Sequence, residues 1–151
     1  MLRKILISVL VVMGACLGGC ASVPMAPESE DLALKQFEAP DPGKSGIYVY
    51  RNSVVGQALK KGVFIDGEYL GKTANKVYFY KQIEAGSHVL ATESEFGNNE
   101  LAFEAEEGNN YFFEQYIKMG VFVGGANVKA VTEAEGEEGV SQCKLGLSPS
   151  S

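Results

Sequence analysis

The stretch from Gly46 to Thr132 repeats with a period of two, and this alternation constrains the fold more than any other feature. Ile47, Val49 and Arg51 alternate with Tyr48 and Tyr50, Val63 and Ile65 with Phe64, and Val77 and Phe79 with Tyr78 and Tyr80. Successive side chains of a strand point to opposite faces, so a two-residue period predicts strands. Residues 100–106 are the clearest case. Leu101, Phe103 and Ala105 share one face and Glu100, Glu104 and Glu106 the other, the pattern of a strand that packs on a core and backs onto water. Residues 111–118 and 126–132 complete the set.

Turn signals punctuate these runs. Asp66-Gly67, between Val63-Phe64-Ile65 and Glu68-Tyr69-Leu70, is the dipeptide of a two-residue type I′ hairpin, whose central residues both need positive φ. Glu84-Ala85-Gly86, Gly97-Asn98-Asn99 and Gly108-Asn109-Asn110 supply further breaks. Seven or eight short strands at this spacing predict an all-β domain over residues 46–147, an antiparallel β-sandwich or a small barrel, followed by a tail at 148–151. A helical domain is excluded. One short C-terminal helix is expected, because Thr132-Glu133-Ala134-Glu135 has the form of a capping box and Val140 and Cys143 follow three apart. Gly136 and Gly139 weaken that helix by about 1 kcal/mol each relative to alanine. With 151 residues, 46% apolar and 21% charged, the chain has material for one domain.

The first twenty residues carry a different signal. Arg3 and Lys4 precede an apolar run over residues 5–15, and Leu17-Gly18-Gly19-Cys20 follows. The run is too short for a transmembrane helix and ends in small residues, as an export signal does. Leu17-Gly18-Gly19-Cys20 resembles the lipobox of bacterial lipoproteins, with Gly18 where Ala, Ser or Thr is more usual. The resemblance implies diacylglycerol on the Cys20 sulfur, cleavage between Gly19 and Cys20, and membrane attachment through an N-terminal lipid anchor. Residues 1–19 are then a signal peptide. Ala21 rather than Asp after the cysteine favours the outer membrane, facing the periplasm, over the inner membrane. Loss of Arg3 and Lys4 with the signal leaves 132 residues and moves the net charge from −6 to −8. A domain so acidic repels anionic lipid as a whole, so the anchor rather than the protein surface is expected to hold it. Nucleic-acid partners are excluded on the same ground.

Residues 20–45 hold Pro24, Pro27, Pro40 and Pro42 and read as the lipidated cysteine followed by a tether. As a coil it would span about 25–30 Å. Leu32, Leu34 and Phe37 offer one short element within it that docks on the domain. Cys143 is the cysteine left over once Cys16 departs and Cys20 is acylated, so it is expected as a reduced, buried thiol.

Candidate chemistry is sparse. His88, the single histidine, starts a strand and lacks a nucleophile-elbow pattern nearby, so it reads as structural rather than catalytic. Glu93 and Glu95 fall on one face near a strand end, and read as a solvated edge before they read as a carboxylate pair. The acidic run over residues 133–138 lacks calcium-loop spacing. No catalytic residue, metal site or cofactor is expected. The seven tyrosines are chiefly core and cross-strand pairs, with Arg51 placed to stack on one of them. Met119-Gly120-Val121-Phe122-Val123-Gly124-Gly125 carries no charge where a connection could be polar. Met119, Phe122, Gly124 and Gly125 are therefore the candidate contact surface, the glycines marking close backbone approach and the larger residues anchoring a partner. The competing reading makes Val121 and Val123 a continued core strand and Gly124-Gly125 its turn.

Taken together, Tyr48-Val49-Tyr50-Arg51, Ile65-Asp66-Gly67, Thr92-Glu93-Ser94-Glu95-Phe96-Gly97, Met119-Gly120-Val121-Phe122-Val123-Gly124 and Cys143-Lys144-Leu145 resemble a bacterial lipoprotein family known as a domain of unknown function. The Ile-Asp-Gly hairpin with Gly86-Ser87-His88 is also similar to small β-sandwich domains with Pro-Glu-Gly-Ala motifs. These resemblances imply an all-β periplasmic module on a lipid anchor and no catalytic residues. The expected task is non-enzymatic, binding an envelope protein or glycan or supporting the envelope. The alternative is a small envelope hydrolase acting on glycan or peptide through carboxylates.

Overall fold

The computed structural model describes residues 22–149, and the order of elements follows the two-residue period. Strand β1 (Lys44–Arg51) is followed by the hairpin β2 (Lys61–Ile65) and β3 (Glu68–Thr73), then β4 (Val77–Glu84). A second hairpin, β5 (Gly86–Ser94) and β6 (Gly97–Ala105), leads to a third, β7 (Asn110–Lys118) and β8 (Gly125–Val131). Helix α1 (Glu28–Leu34) precedes the strands, and α2 (Glu133–Ser141) and the two-residue β9 (Lys144–Leu145) close the chain. The sheets are open, one in the order β8-β7-β1-β4-β9 and the other β3-β2-β5-β6. The fold is sandwich-like, and of the two expected architectures the closed barrel is the one not adopted.

Pairing departs from a purely antiparallel sandwich at two places. β1 runs parallel to β7, with Tyr48 opposite Phe112, and β4 runs parallel to β9. The cause lies in the path. Each hairpin stays within a sheet, but β4 and β7 each return to the first sheet after an excursion through the second, and the second return brings β7 in from the end at which β1 enters. The break at Glu84-Ala85-Gly86 is therefore a corner between sheets rather than a hairpin. The Asp66-Gly67 turn joins β2 to β3 with φ of 51° and 80°, the positive pair its sequence predicts.

The core between the sheets contains Ile47, Val49, Val63, Ile65, Leu70, Phe79, Leu90 and Phe113. Each such side chain contributes about 1.5–3 kcal/mol by leaving water. β6 keeps its outer face in solvent, as its alternating glutamates require, but β1 is buried along almost its whole length. Its outward residues Tyr48 and Tyr50 join Tyr78, Phe112, Val140, Cys143 and Leu145 in a second core on the far side of the sheet. Tyr48 stacks on Phe112 with ring centroids 4.9 Å apart and lies 4.6 Å from its cross-strand partner Tyr80.

Helix α2 covers part of this aromatic face. Its capping box forms between Thr132 and Glu135, and Gly136 and Gly139 are its contact side. A Cβ on Gly136 would stand 2.2 Å from Phe112 and one on Gly139 2.3 Å from Tyr50, so the helical propensity they lose is exchanged for close seating on the rings.

The segment expected as a tether differs most from its sequence reading. From Val23 it lies against the domain. Met25 bridges Gly146, Ala26 N–H donates to the Leu145 carbonyl at 3.0 Å and Leu147 N–H to the Pro24 carbonyl at 2.9 Å. α1 and Phe37 then cover Tyr48, Tyr78 and Phe112. Proline content suggested a spacer, but Pro24 contributes an acceptor and Pro27 sits at the helix start, where a missing N–H costs nothing.

Candidate functional site

Three connections meet at the end of the sandwich where β1 and β7 finish. They are residues 52–60 between β1 and β2, the turn from β5 to β6, and residues 119–124 between β7 and β8. Arg51 organises the first. Fully buried, it donates from one guanidinium nitrogen to the Leu59 carbonyl at 2.7 Å and from the other to the Gly56 carbonyl at 2.5 Å, while its Nε has no hydrogen-bond partner among the described residues. Desolvation lowers its pKa, yet a guanidinium stays charged over all ordinary pH. Arg51 thus holds the backbone of the connection from inside and does not stack on a tyrosine.

Glu95 organises the other two. Its carboxylate accepts backbone N–H groups of Val121 at 2.7 Å, Phe122 at 2.5 Å and Val123 at 3.3 Å. Burial pushes its pKa up, but these three donors and the charge of Lys61 outweigh it and hold the carboxyl below its ordinary range. The 119–124 connection is therefore shaped by one acid acting across 26 to 28 residues of sequence. Glu93 is used similarly, accepting the Gly62 N–H at 2.5 Å. Both acids are bound to backbone, which neither the carboxylate-pair nor the solvated-edge reading anticipates.

With its backbone fixed in this way, the connection presents its side chains outward. Met119 is 89% exposed and Phe122 83%, and Val121 and Val123 are exposed beside them. Phe96, at the adjacent turn, is 79% exposed, and Val54 and Val55 are exposed on the first connection. Gly124 and Gly125 behave differently. A Cβ on Gly125 would meet Ser94 Oγ at 2.8 Å, and one on Gly124 would meet Leu59 at 2.7 Å. The four contact-surface residues thus divide into two that face outward, Met119 and Phe122, and two that allow close approach within the fold itself. Val121 and Val123 do not continue β7, which ends at Lys118.

His88 lies at the opposite end of the sandwich. Its Nδ1 is 2.6 Å from an Asp66 carboxylate oxygen and its Nε2 is 2.9 Å from the Glu84 carbonyl. Burial lowers its pKa, but Asp66, the Glu84 carbonyl and Glu104 more than compensate, and the net shift is upward. Two acceptors on the two ring nitrogens suit the imidazolium, and that pairing makes His88 a clamp between the first hairpin and the corner after β4. Cys143 is buried and reduced, its thiol 3.6 Å from the Arg51 carbonyl and pushed up to about 12 chiefly by burial.

Gln115 escaped the sequence reading. Wholly buried between the sheets, it donates from Nε2 to Thr92 Oγ1 at 2.6 Å and accepts from the Thr73 hydroxyl. Its only sequence signal is a polar residue at an inward position of an otherwise apolar strand.

Gly19 and Cys20, the expected cleavage and lipidation positions, lie outside the described residues, as does the expected signal peptide. No helix among the described residues is long and apolar enough to cross a membrane, and among them no group of three or more His, Cys, Asp or Glu is placed to hold a metal ion.

A family model described as "Protein of unknown function (DUF2846)" matches residues 41–126. The chain is also 47% identical over 132 residues to an "Uncharacterized protein" of Haemophilus influenzae, covering 87% of this chain and 79% of that protein. No solved structure matches.

Proposed function

The chain belongs to the family described as "Protein of unknown function (DUF2846)", and on that premise we propose that it is a lipid-anchored envelope lipoprotein that works by binding rather than by catalysis. Its anchor is Cys20, placed in the outer membrane and facing the periplasm, as the lipobox-like stretch and Ala21 suggest. The observation that carries the binding reading is the loop end: Met119, Phe122 and Phe96 are held outward on a backbone fixed by Glu95. Large apolar side chains on a rigid mount are what an interaction surface needs, because little ordering is left to pay for on contact. Its non-enzymatic character is supported by how the candidate acids and histidine are engaged, since Glu93, Glu95 and His88 all spend their polar atoms on the fold.

The test is a photo-activatable residue in place of Phe122 in growing cells, compared with the same residue in place of Ala85 at the opposite end. Adducts are expected from the first position and not the second. Equal or absent adducts at position 122 would remove the loop end as the working surface. Mass analysis of the N-terminal peptide checks the anchor, with a diacylglycerol on Cys20 expected and lost in Cys20→Ala.

A further inference from the structure

Two observations bear on what covers the apolar loop end. The first is how little chain separates the expected anchor from the domain. Ser22 and Val23 already line a pocket of about 220 Å³ with Lys60, Tyr69, Lys72 and Phe79, so only Ala21 separates Cys20 from chain in contact with the fold. The two Cα steps from Cys20 to Ser22 reach at most about 7 Å. A domain with a 25-residue tether could stand clear of the headgroups, but one held this closely must rest a face against them.

The second is the distribution of charge. The chain is acidic overall, yet its acids are not spread evenly. Asp41, Asp66, Glu84, Glu104, Glu106 and Glu107 gather at the end marked by the His88 clamp, where Lys44 and Lys81, paired to Glu84 and Glu68, offset only part of their charge. Lys60, Lys61, Lys72, Lys76 and Lys118 lie at or beside the loop end, where β2 and β4 begin and β3 and β7 finish. The two acids on the β5 arm there, Glu93 and Glu95, are turned to backbone N–H groups. The expectation that the protein surface repels anionic lipid, drawn from net charge, thus fails locally at this end.

We infer that the loop end is a membrane-docking surface: Phe96, Met119 and Phe122 enter the interface of the bilayer that holds the anchor, and the lysines at that end meet acidic phospholipid headgroups. Apolar tips with lysines at the same end match the two layers of a bilayer interface, acyl carbon below and phosphate above. Ser22 leaves the domain beside Lys60 and Lys72, on the same side. A protein partner would explain the apolar residues but not why the anchor exit and the basic charge share their end. The inference rests on the lipid-anchor reading and adds orientation to it, with the acidic end turned toward the periplasm.

The chain has no tryptophan, so single substitutions report without background. Full-length lipoprotein carrying Phe122→Trp, Phe96→Trp or Ala85→Trp is reconstituted into phosphatidylcholine vesicles containing phosphatidylglycerol and brominated acyl chains. All three positions are exposed, so folding is preserved and unchanged melting checks it. Emission from F122W and F96W is expected to shift to the blue and fall by about twofold on quenching, with A85W unaffected. The effect should weaken when phosphatidylglycerol is omitted or salt is raised to about 1 M, where screening shortens to about 3 Å. If vesicle-bound protein gives F122W no more quenching than A85W, the docking proposal is overturned and the anchor stands. Docking is equally overturned if F122W is unquenched while the photo-activatable residue at position 122 cross-links to a protein in cells. Protein that does not float with vesicles and carries no lipid on Cys20 overturns both readings.

Discussion

Asp31 on α1 accepts the backbone N–H of Leu145 at 3.1 Å, joining α1 to β9 across 114 residues. The carboxylate is buried, and its other oxygen takes Lys35 Nζ at 3.0 Å, while Lys35 also donates to the Cys143 carbonyl at 2.5 Å. One acid and one base therefore close the N-terminal segment over the aromatic face. Burial pushes the Asp31 carboxyl up, but Lys35, Tyr78 and Leu145 outweigh it and leave it below its ordinary value. A carboxyl lowered by folding stabilises the protein above the unfolded pKa, about 3.9, and that contribution is lost as pH falls through the folded value. Asp31→Ala should cost about 1.5–3 kcal/mol in urea unfolding at pH 7, and the variant should lose less further stability than the wild type on acidification to pH 3. A chain starting at residue 44 should melt lower than the full chain, because α1 and Phe37 no longer cover Tyr48 and Tyr78.

The opposite sign applies at His88. Its pKa is raised in the fold by Asp66 and the Glu84 carbonyl against the effect of burial. Its contribution is complete below the unfolded value of about 6.5 and disappears as pH rises through the folded value. NMR titration should place the His88 midpoint above that of a peptide histidine, and unfolding free energy should fall by up to about 1 kcal/mol as pH passes through it. A flat profile there, or a midpoint at or below the peptide value, would contradict the clamp. His88→Gln should abolish that pH dependence.

The alternation of β6 was readable because one of its faces meets water: Glu100 and Glu104 had to differ from Leu101 and Phe103. In β1 the same period runs between two apolar sets, Ile47 and Val49 against Tyr48 and Tyr50, and that composition already signals cover on both faces. Which segment supplies the cover was not legible, because it depends on contacts such as Asp31 with Leu145 whose partners lie at opposite ends of the chain. The parallel pairing of β1 with β7 was hidden for the same reason, since local alternation carries no information on the order in which strands return to a sheet. At the candidate site, the apolar content of residues 119–125 singled out Met119 and Phe122. Nothing local to that segment reveals that Glu95 shapes it, or that the glycines beside it serve close contacts with Ser94 and Leu59.

Gln115 offers a test of how the two sheets are joined. Its amide spans Thr73 of β3 and Thr92 of β5; the Thr92 hydroxyl also donates to the Gly62 carbonyl of β2, and the Thr73 hydroxyl, whose one proton is shared with Gln115, has the Lys61 carbonyl of β2 as its second acceptor at 3.2 Å. Gln115→Ala removes the bridge and leaves a void, and should cost about 2–3 kcal/mol. Gln115→Met fills most of the space, and the threonine hydroxyls keep their β2 carbonyls. Its cost should be smaller, about 1 kcal/mol. Equal losses in denaturant unfolding would mean that the amide itself, rather than the volume it fills, joins the sheets.

The 119–125 segment should separate into residues that matter for stability and residues that matter for contact. Met119 and Phe122 touch little of the fold, so Met119→Ser and Phe122→Ser should leave unfolding within about 0.5 kcal/mol of the wild type. Gly125 is buried against Ser94. Gly125→Ala must push back the Ser94 hydroxyl and crowd the Glu95 N–H at 3.3 Å, so it should destabilise by about 1–3 kcal/mol. Glu95→Gln tests the mount between them. A neutral amide accepts backbone N–H groups through one oxygen where the carboxylate uses two, and hydrogen exchange at Val121 and Phe122 should accelerate while β7 stays protected. Acid should do the same to the wild type, because the Glu95 pKa is lowered by these donors and the loop is released as pH falls below the ordinary carboxylate range. If exchange at Val121 and Phe122 is indifferent to both changes, Glu95 does not hold the loop, and the exposed residues lose the fixed backbone on which their role as a contact surface depends.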